Sequence, residues 1–284
     1  MTTATGLNSS VALSNGVQIP VMGLGVWRAE SGEETYNAVR WALEAGYRAI
    51  DTATIYKNET DVGRAFRDSG KSRSEIFFTS KVWHSSQGYE GTLRAFDESL
   101  QKLGMDYLDL YLIHHYMPEK SADTWRAMEK LYHDGRIRAI GVSNFHERQM
   151  TALLKTAEVC PMLNQIELHP YLQQRDAKDN NDKLGIVTES WAPIAKGKAL
   201  TEPCIVAFSE TYHKTPAQIV LRWGLQKGLV LIPKSVHKER ILENMDIFDF
   251  ALDEEAMQTI DALERNQRFG IDPNDSSWMA NWVD

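Results

Sequence analysis

Ile76-Phe77-Phe78-Thr79-Ser80-Lys81 is a short apolar run that ends on a charge. Four to eight such residues read as a buried strand, and the ammonium marks the point where the chain leaves the core. The pattern repeats on either side. Arg48-Ala49-Ile50-Asp51 ends on a carboxylate 30 residues earlier, and 108–114 ends on His114, 33 residues later. The run 137–143 reaches Ser143-Asn144 after a further 29. A strand, a crossover helix and the return need roughly 30 residues. Polar groups placed one per repeat at strand exits converge on one face in few architectures. The commonest is the parallel (β/α)8 barrel, where chemistry sits at the C-terminal ends of the strands. The sequence therefore predicts an α/β enzyme with a (β/α)8 TIM barrel.

The rest of the chain fills in that plan. Strands are expected at 21–26, 48–51, 76–81, 108–114, 137–143, 162–168, 186–191 and 229–233, which makes eight. Amphipathic stretches lie between them, with Leu93, Phe96, Leu100 and Leu103 on one stripe and Trp125, Met128 and Tyr132 on another. The longest interval, before the last strand, has room for an extra helix ahead of Thr215-Pro216, which reads as N-cap and first helical position. Ahead of the repeats, residues 11–19 predict a β-hairpin capping one barrel end, turning on Asn15-Gly16 in a type I′ turn. No linker-like tract interrupts the alternation, so residues 1–284 are expected to form one domain. The polar tail from Gln267 carries Phe269, Trp278 and Trp282 and is expected to fold over the active-site mouth.

Composition narrows the partners. A net charge of −8 and a pI near 5.5 oppose nucleic-acid binding, because the overall field repels phosphate. The start has no secretory leader, and no apolar run approaches the ~20 residues that span a bilayer, so no membrane partner and a cytoplasmic location are expected. Cys160 and Cys204 lack metal-type spacing and fit a reduced compartment. A monomer is the expected state.

The chemistry begins in Gly46-Tyr47-Arg48-Ala49-Ile50-Asp51-Thr52-Ala53-Thr54-Ile55-Tyr56-Lys57-Asn58-Glu59. Tyr56 follows Asp51 in a short loop ahead of a helix starting at Asn58 or Glu59. A phenol is a weak acid, with an ordinary pKa of about 10, and a nearby ammonium lowers it. Lys81, on the next strand, can reach both groups, and Asp51 would keep it charged. His114 can then orient a carbonyl oxygen beside the phenol, which makes a proton-donor site for carbonyl reduction. Two other classes use the same residues differently. In a Schiff-base aldolase Lys81 would be the nucleophile, with a phosphate site at Lys234-Ser235. A non-catalytic cofactor sensor or structural barrel would not need the intact set of Asp51, Tyr56, Lys81 and His114. No metal site is expected, since His114 and His115, as strand neighbours, should face opposite ways. Gly23-Leu24-Gly25 resembles half a dinucleotide fingerprint, but the rest does not follow, and it reads as a strand with tight backbone packing.

Taken together, these segments resemble the aldo-keto reductases, close to the bacterial branch that includes 2,5-diketo-gluconate reductases. The resemblance covers nearly the whole chain. It rests on Asp51, Tyr56 and Asn58-Glu59; Thr79-Ser80-Lys81-Val82-Trp83; Leu110-Tyr111-Leu112-Ile113-His114; and Gly141-Val142-Ser143-Asn144-Phe145. Asn164-Gln165-Ile166-Glu167-Leu168-His169-Pro170-Tyr171 and Ile232-Pro233-Lys234-Ser235 complete it.

The resemblance implies NADPH-dependent reduction of aldehydes and ketones, with hydride from nicotinamide C4, Tyr56 as general acid, Asp51 and Lys81 as its tuners, and His114 orienting the substrate. It also implies that Ser143, Asn144 and Gln165 hold the nicotinamide carboxamide. Trp191 stands where many members have a stacking Tyr. Lys234, Ser235 and Arg240 would clamp the adenosine 2′-phosphate, with Glu243 and Asn244 on the adenine. That clamp implies a preference for NADPH over NADH of about 1.5–3 kcal/mol. His115 departs from the family, which often has Trp there, so substrate preference transfers poorly. Trp27, Trp83 and His115 are the expected pocket walls. Small aldehydes, α-dicarbonyls or keto-sugar acids are the expected substrates.

Overall fold

The computed structural model describes residues 4–275 and residue 277. An antiparallel hairpin, β1 (Ser10–Ala12) and β2 (Gln18–Pro20), comes first. Its turn is not type I′. Of the two central candidates only Gly16 has a positive φ, at 86°, and its N–H donates to Leu13 O at 2.8 Å while the Leu13 N–H donates to Val17 O at 2.8 Å. This is a three-residue loop closed by a left-handed glycine, a pattern that leaves Asn15 with ordinary backbone angles. The Asn15 side chain is thereby free to reach across and donate to Arg138 O at 2.9 Å.

Eight parallel strands then run in sequence order: β3 (Leu24–Gly25), β4 (Ala49–Asp51), β5 (Phe77–Val82), β6 (Leu108–Ile113), β7 (Ile137–Ser143), β8 (Leu163–Glu167), β9 (Val187–Trp191) and β10 (Val230–Leu231). All eight coincide with the apolar runs of the sequence. The last strand returns to the first. Gly23 N–H donates to Leu231 O at 2.8 Å, Leu231 N–H to Val21 O at 3.0 Å, and Gly25 pairs with Lys234. Side chains could not fit on either side of this segment: a Cβ on Gly25 would lie 2.9 Å from Ile232 O at the seam, and one on Gly23 2.9 Å from the Ala49 Cβ of β4. The Gly-Leu-Gly segment is therefore tight backbone packing, as the sequence suggested.

The helices cover the outside. In α1 (Glu33–Ala45), Ala38, Val39, Ala42 and Leu43 are buried against the sheet, and Gly46, with φ 106°, terminates it by donating to Ala42 O and Leu43 O. In α3 (Tyr89–Leu103), Phe96, Leu100 and Leu103 form the buried stripe. Each such side chain contributes about 1.5–3 kcal/mol by leaving water. The extra helix before the last strand is Pro203–Tyr212, and Thr215 caps the following Pro216–Gln226 by accepting from the Gln218 N–H. Among the described residues no helix is long and apolar enough to cross a membrane.

The tail crosses the C-terminal ends of the strands. The Phe269 and Gly270 N–H groups donate to the two carboxylate oxygens of Glu167, at 2.7 and 3.0 Å, and the Phe269 ring packs near His169 and Tyr171. Gln149, in the helix Glu147–Leu154, donates to Pro273 O at 3.1 Å. Trp278 and Trp282 lie outside the described residues.

Candidate active site

Asp51 ends β4, Lys81 lies near the end of β5, and Tyr56 sits in the single helical turn Thr54–Tyr56 that follows β4. Lys81 Nζ donates to Asp51 Oδ1 at 2.6 Å, to Thr52 O at 2.9 Å and to the Tyr56 hydroxyl at 3.5 Å. The loop is fixed from behind: Asn58, fully buried, donates to Val26 O and Ala29 O and accepts from the Thr52 hydroxyl. Burial disfavours the ammonium, but Asp51 and the phenol outweigh it, and the Lys81 pKa is raised. The phenol behaves differently from expectation. Its burial outweighs the pull of Lys81, and its pKa is pushed up to about 12. The residue is half-buried overall, yet its hydroxyl is enclosed and loses more hydration than one cation replaces.

His114 completes the group, its ring 5.7 Å from that of Tyr56 and edge-on to it. Burial, with His115, Lys81 and His84 adding to it, holds the His114 pKa well below the usual histidine range, so the imidazole is neutral. Its Nδ1 is buried without a hydrogen-bond partner among the described residues. His115 does not face away from it. The rings stack at 5.2 Å and 12°, because β6 ends at Ile113 and the alternation of a strand no longer governs the two residues. Trp83 lies edge-on to both, at 5.0 and 5.7 Å. Burial pushes the His115 pKa down to about 3, and it too is neutral. Among the described residues no cluster of His, Cys, Asp or Glu is arranged to hold a metal ion. Trp27 stands further out, 36% exposed, with Arg28 4.4 Å and Lys196 4.9 Å from its ring centre.

The neighbouring strands carry a run of amides. Ser143 is paired with Gln165 across β7 and β8, and its hydroxyl donates to Gln165 O at 2.9 Å. Asn144, at a positive φ of 61°, donates to His114 O and to the Ser143 hydroxyl, both at 3.0 Å, and accepts from the Trp191 indole at 3.0 Å. Asn tolerates that backbone angle better than most residues. Gln165 donates its amide nitrogen to Asp51 Oδ2 at 2.8 Å and to Glu189 Oε2 at 2.6 Å, leaving its oxygen without a partner among the described residues.

At the closing seam Lys234 is exposed beside Gly25, Ser235 accepts from His237 N–H at 3.1 Å, and Arg240 is exposed on the helix Lys238–Met245. Neither Lys234 nor Arg240 has an ion-pair partner among the described residues. Burial depresses the Lys234 pKa, with Arg28 acting in the same direction. Glu243 is half engaged, accepting from Thr215 at 2.6 Å, and Asn244 is buried beside it. A Gln165 amide oxygen without a partner, a neighbouring Asn144 that accepts from the Trp191 indole, and two cations without ion pairs further along the rim, all among the described residues, form a donor and acceptor set that fits a phosphorylated dinucleotide.

This arrangement has relatives. A profile of the aldo/keto reductase family matches residues 21–265. The chain belongs to the aldo/keto reductase family. Glyoxal reductase of Bacillus subtilis (strain 168) is 51% identical to this aldo/keto reductase over 271 residues, covering 95% of this chain and 98% of its own. Among solved structures, MGS-M4, an aldo-keto reductase from a Medee basin deep-sea metagenome library, superposes with a TM-score of 0.92 at 42% identity, covering 94% of this chain and all of that one. A mutant form of Gox0644 in complex with NADPH gives 0.90 at 43% identity, over 95% and 98% of the two chains.

Two residues of this aldo/keto reductase site escaped the sequence reading. Glu189, 2% exposed, stands opposite Gln165 in the register of β8 and β9, and Glu167, fully buried, anchors the tail. The available signal was a carboxylate in the middle of an otherwise strand-like run, at the position two before Trp191 that shares its face.

Proposed function

We propose that this aldo/keto reductase reduces small aldehydes and α-dicarbonyls, keto-sugar acids included, to alcohols with NADPH. The observation that carries the reading is the meeting of Tyr56, Lys81, Asp51 and His114 at the C-terminal end of three adjacent strands. NADPH, when bound, supplies hydride from nicotinamide C4 to the carbonyl carbon. Tyr56 gives its phenolic proton to the carbonyl oxygen. The high pKa of the phenol keeps it fully protonated at neutral pH, and the Lys81 ammonium stabilises the phenolate that forms until solvent returns the proton. Neutral His114 donates a ring N–H to the same oxygen and fixes its direction.

For the cofactor, Gln165, Ser143 and Asn144 would hold the carboxamide, Trp191 would cover one face of the ring, and Lys234, Ser235 and Arg240 would take the 2′-phosphate, with Glu243 and Asn244 at the adenine. Support comes from the unpaired Gln165 oxygen, from the uncompensated cations, and from the related chain solved with NADPH. The wall of Trp83, His114 and His115 is compact and carries neutral polar groups, which suits a second carbonyl or a hydroxyl beside the reacting one. The glyoxal reductase relative agrees with that choice. One domain, a monomer and a cytoplasmic location carry over from the sequence, and size-exclusion chromatography tests the monomer. The function is tested by following NADPH absorbance with glyoxal, methylglyoxal and a keto-sugar acid. Consumption of NADPH with none of them would overturn the substrate class.

A further inference from the structure

The Gln165 amide nitrogen has two hydrogens, and both are committed: one to Asp51 and one to Glu189. Glu189 therefore belongs to the same hydrogen-bonded line as the Tyr56, Lys81 and Asp51 group, at its far end. It is 2% exposed, and its Oε1 has no partner among the described residues. The mechanism above does not use it.

We propose that Glu189 is a redox-linked proton site: it is protonated when the enzyme is free or holds NADPH, and it ionises, releasing its proton to solvent, when NADP+ binds. The inference rests on the placement of the nicotinamide against Gln165. That amide would present its oxygen to the carboxamide while its nitrogen holds the Glu189 carboxyl. Reduced nicotinamide is neutral, whereas the oxidised ring carries a full positive charge. Glu189 is 2% exposed, so solvent screens it little; a carboxyl one residue from the ring feels that change strongly, and a cation favours its ionised form.

The surroundings already hold Glu189 close to the balance point. Burial and the neighbouring Asp51 carboxylate oppose ionisation, while the Gln165 hydrogen bond and the Lys81 ammonium favour it, leaving a pKa raised to about 8. Tyr56 is the other titratable group coupled to it and stays neutral over that range. Without NADP+, Asp51 and Lys81 offset each other, and a second carboxylate would leave the site with an excess negative charge. With NADP+ bound, the same carboxylate neutralises the ring.

The sign of the effect is fixed. Below the pKa of the free enzyme, binding NADP+ must expel a proton, so its affinity weakens as pH falls; NADPH faces no such step. The dissociation constants of both dinucleotides are measured by quenching of tryptophan fluorescence from pH 6 to 9. The 2′-phosphate ionises near about 6 but is common to both, so it cancels in the ratio. The Kd of NADP+ relative to that of NADPH is expected to fall on the order of tenfold as pH rises, since one unit of pKa displacement is tenfold in affinity. In Glu189→Gln, whose amide oxygen can still accept from Gln165, the ratio should be flat with pH. Calorimetry at pH 7.5 in two buffers of different ionisation enthalpy should detect proton release with NADP+ only, and only in the wild type. A flat wild-type ratio, or the same slope in the variant, overturns the proposal while leaving the cofactor assignment intact. Failure of either dinucleotide to bind overturns both.

Discussion

Lys81 Nζ lies 2.6 Å from Asp51 Oδ1, with the two side chains 0% and 5% exposed. A buried pair of this kind is unforgiving when one partner goes, because the remaining charge has no water to replace it. Asp51→Asn is expected to lower unfolding stability by about 3–5 kcal/mol and to abolish reduction. Adding Lys81→Met should restore most of the stability and none of the activity. Urea titration of the two variants alongside carbonyl-dependent NADPH oxidation checks both halves.

Tyr56→Phe removes the proposed proton donor and little else, since among the described residues the phenol hydroxyl makes one long contact, to Lys81. Its rate should fall by about 10²–10⁴-fold, the usual contribution of a positioned acid, with NADPH affinity nearly unchanged. A variant keeping more than about a tenth of the rate would contradict the assignment.

Arg240 is exposed and carries no ion pair among the described residues, so replacing it should not disturb the fold. Arg240→Ala is expected to weaken NADPH by about 1.5–3 kcal/mol and NADH by little. Equal losses for the two dinucleotides would mean that the guanidinium does not face the 2′-phosphate.

His115 stacks on His114 within reach of Trp83, and its ring is neutral. Replacing it with Trp would exchange a polar wall for an apolar one of larger area. His115→Trp should raise kcat/KM for aromatic aldehydes and lower it for methylglyoxal, the change falling mainly in KM. A parallel fall for every substrate would point to displacement of His114 instead.

The same residue sets a pH signature in stability. The folded-state pKa of His115, about 3, lies below the ordinary 6.5, so the unfolded chain binds a proton that the folded one refuses. That stability is fully present above pH 6.5 and is lost as pH falls, at about 1.4 kcal/mol per unit. His114 acts in the same direction. His115→Gln should therefore flatten the decline of unfolding free energy between pH 6.5 and 5, measured by urea titration, and an unchanged slope would show that the imidazole is not held neutral.

The barrel was legible because each repeat spends its apolar residues on a strand and then places one polar side chain at the exit. Asp51, Lys81, His114 and Ser143 were recognisable on that basis, whereas Gln165, inside its strand, came only from the family resemblance. What failed depended on where regular structure stops. His115 was assigned to a strand face, though the strand ends two residues before it. Asn15-Gly16 was assigned its most familiar turn, while the closing bond from Leu13 to Val17 selects another. The phenol was expected to be acidified, but the depth of its enclosure is a tertiary property that no spacing reveals. Glu189 was passed over because a strand interior invites only apolar readings, and its value comes from a partner on the neighbouring strand.

Glu167 holds the backbone of Phe269 and Gly270 with both carboxylate oxygens, and the contacts described for the tail all fall on the side of the barrel built by β7, β8 and β9. The mouth is therefore asymmetric. A buried carboxylate at the end of β8 thus ties the path of the tail to the strand that also carries Gln165, so a change at Glu167 would reach the cofactor side of the mouth before it reached the wall of Trp83 and His115.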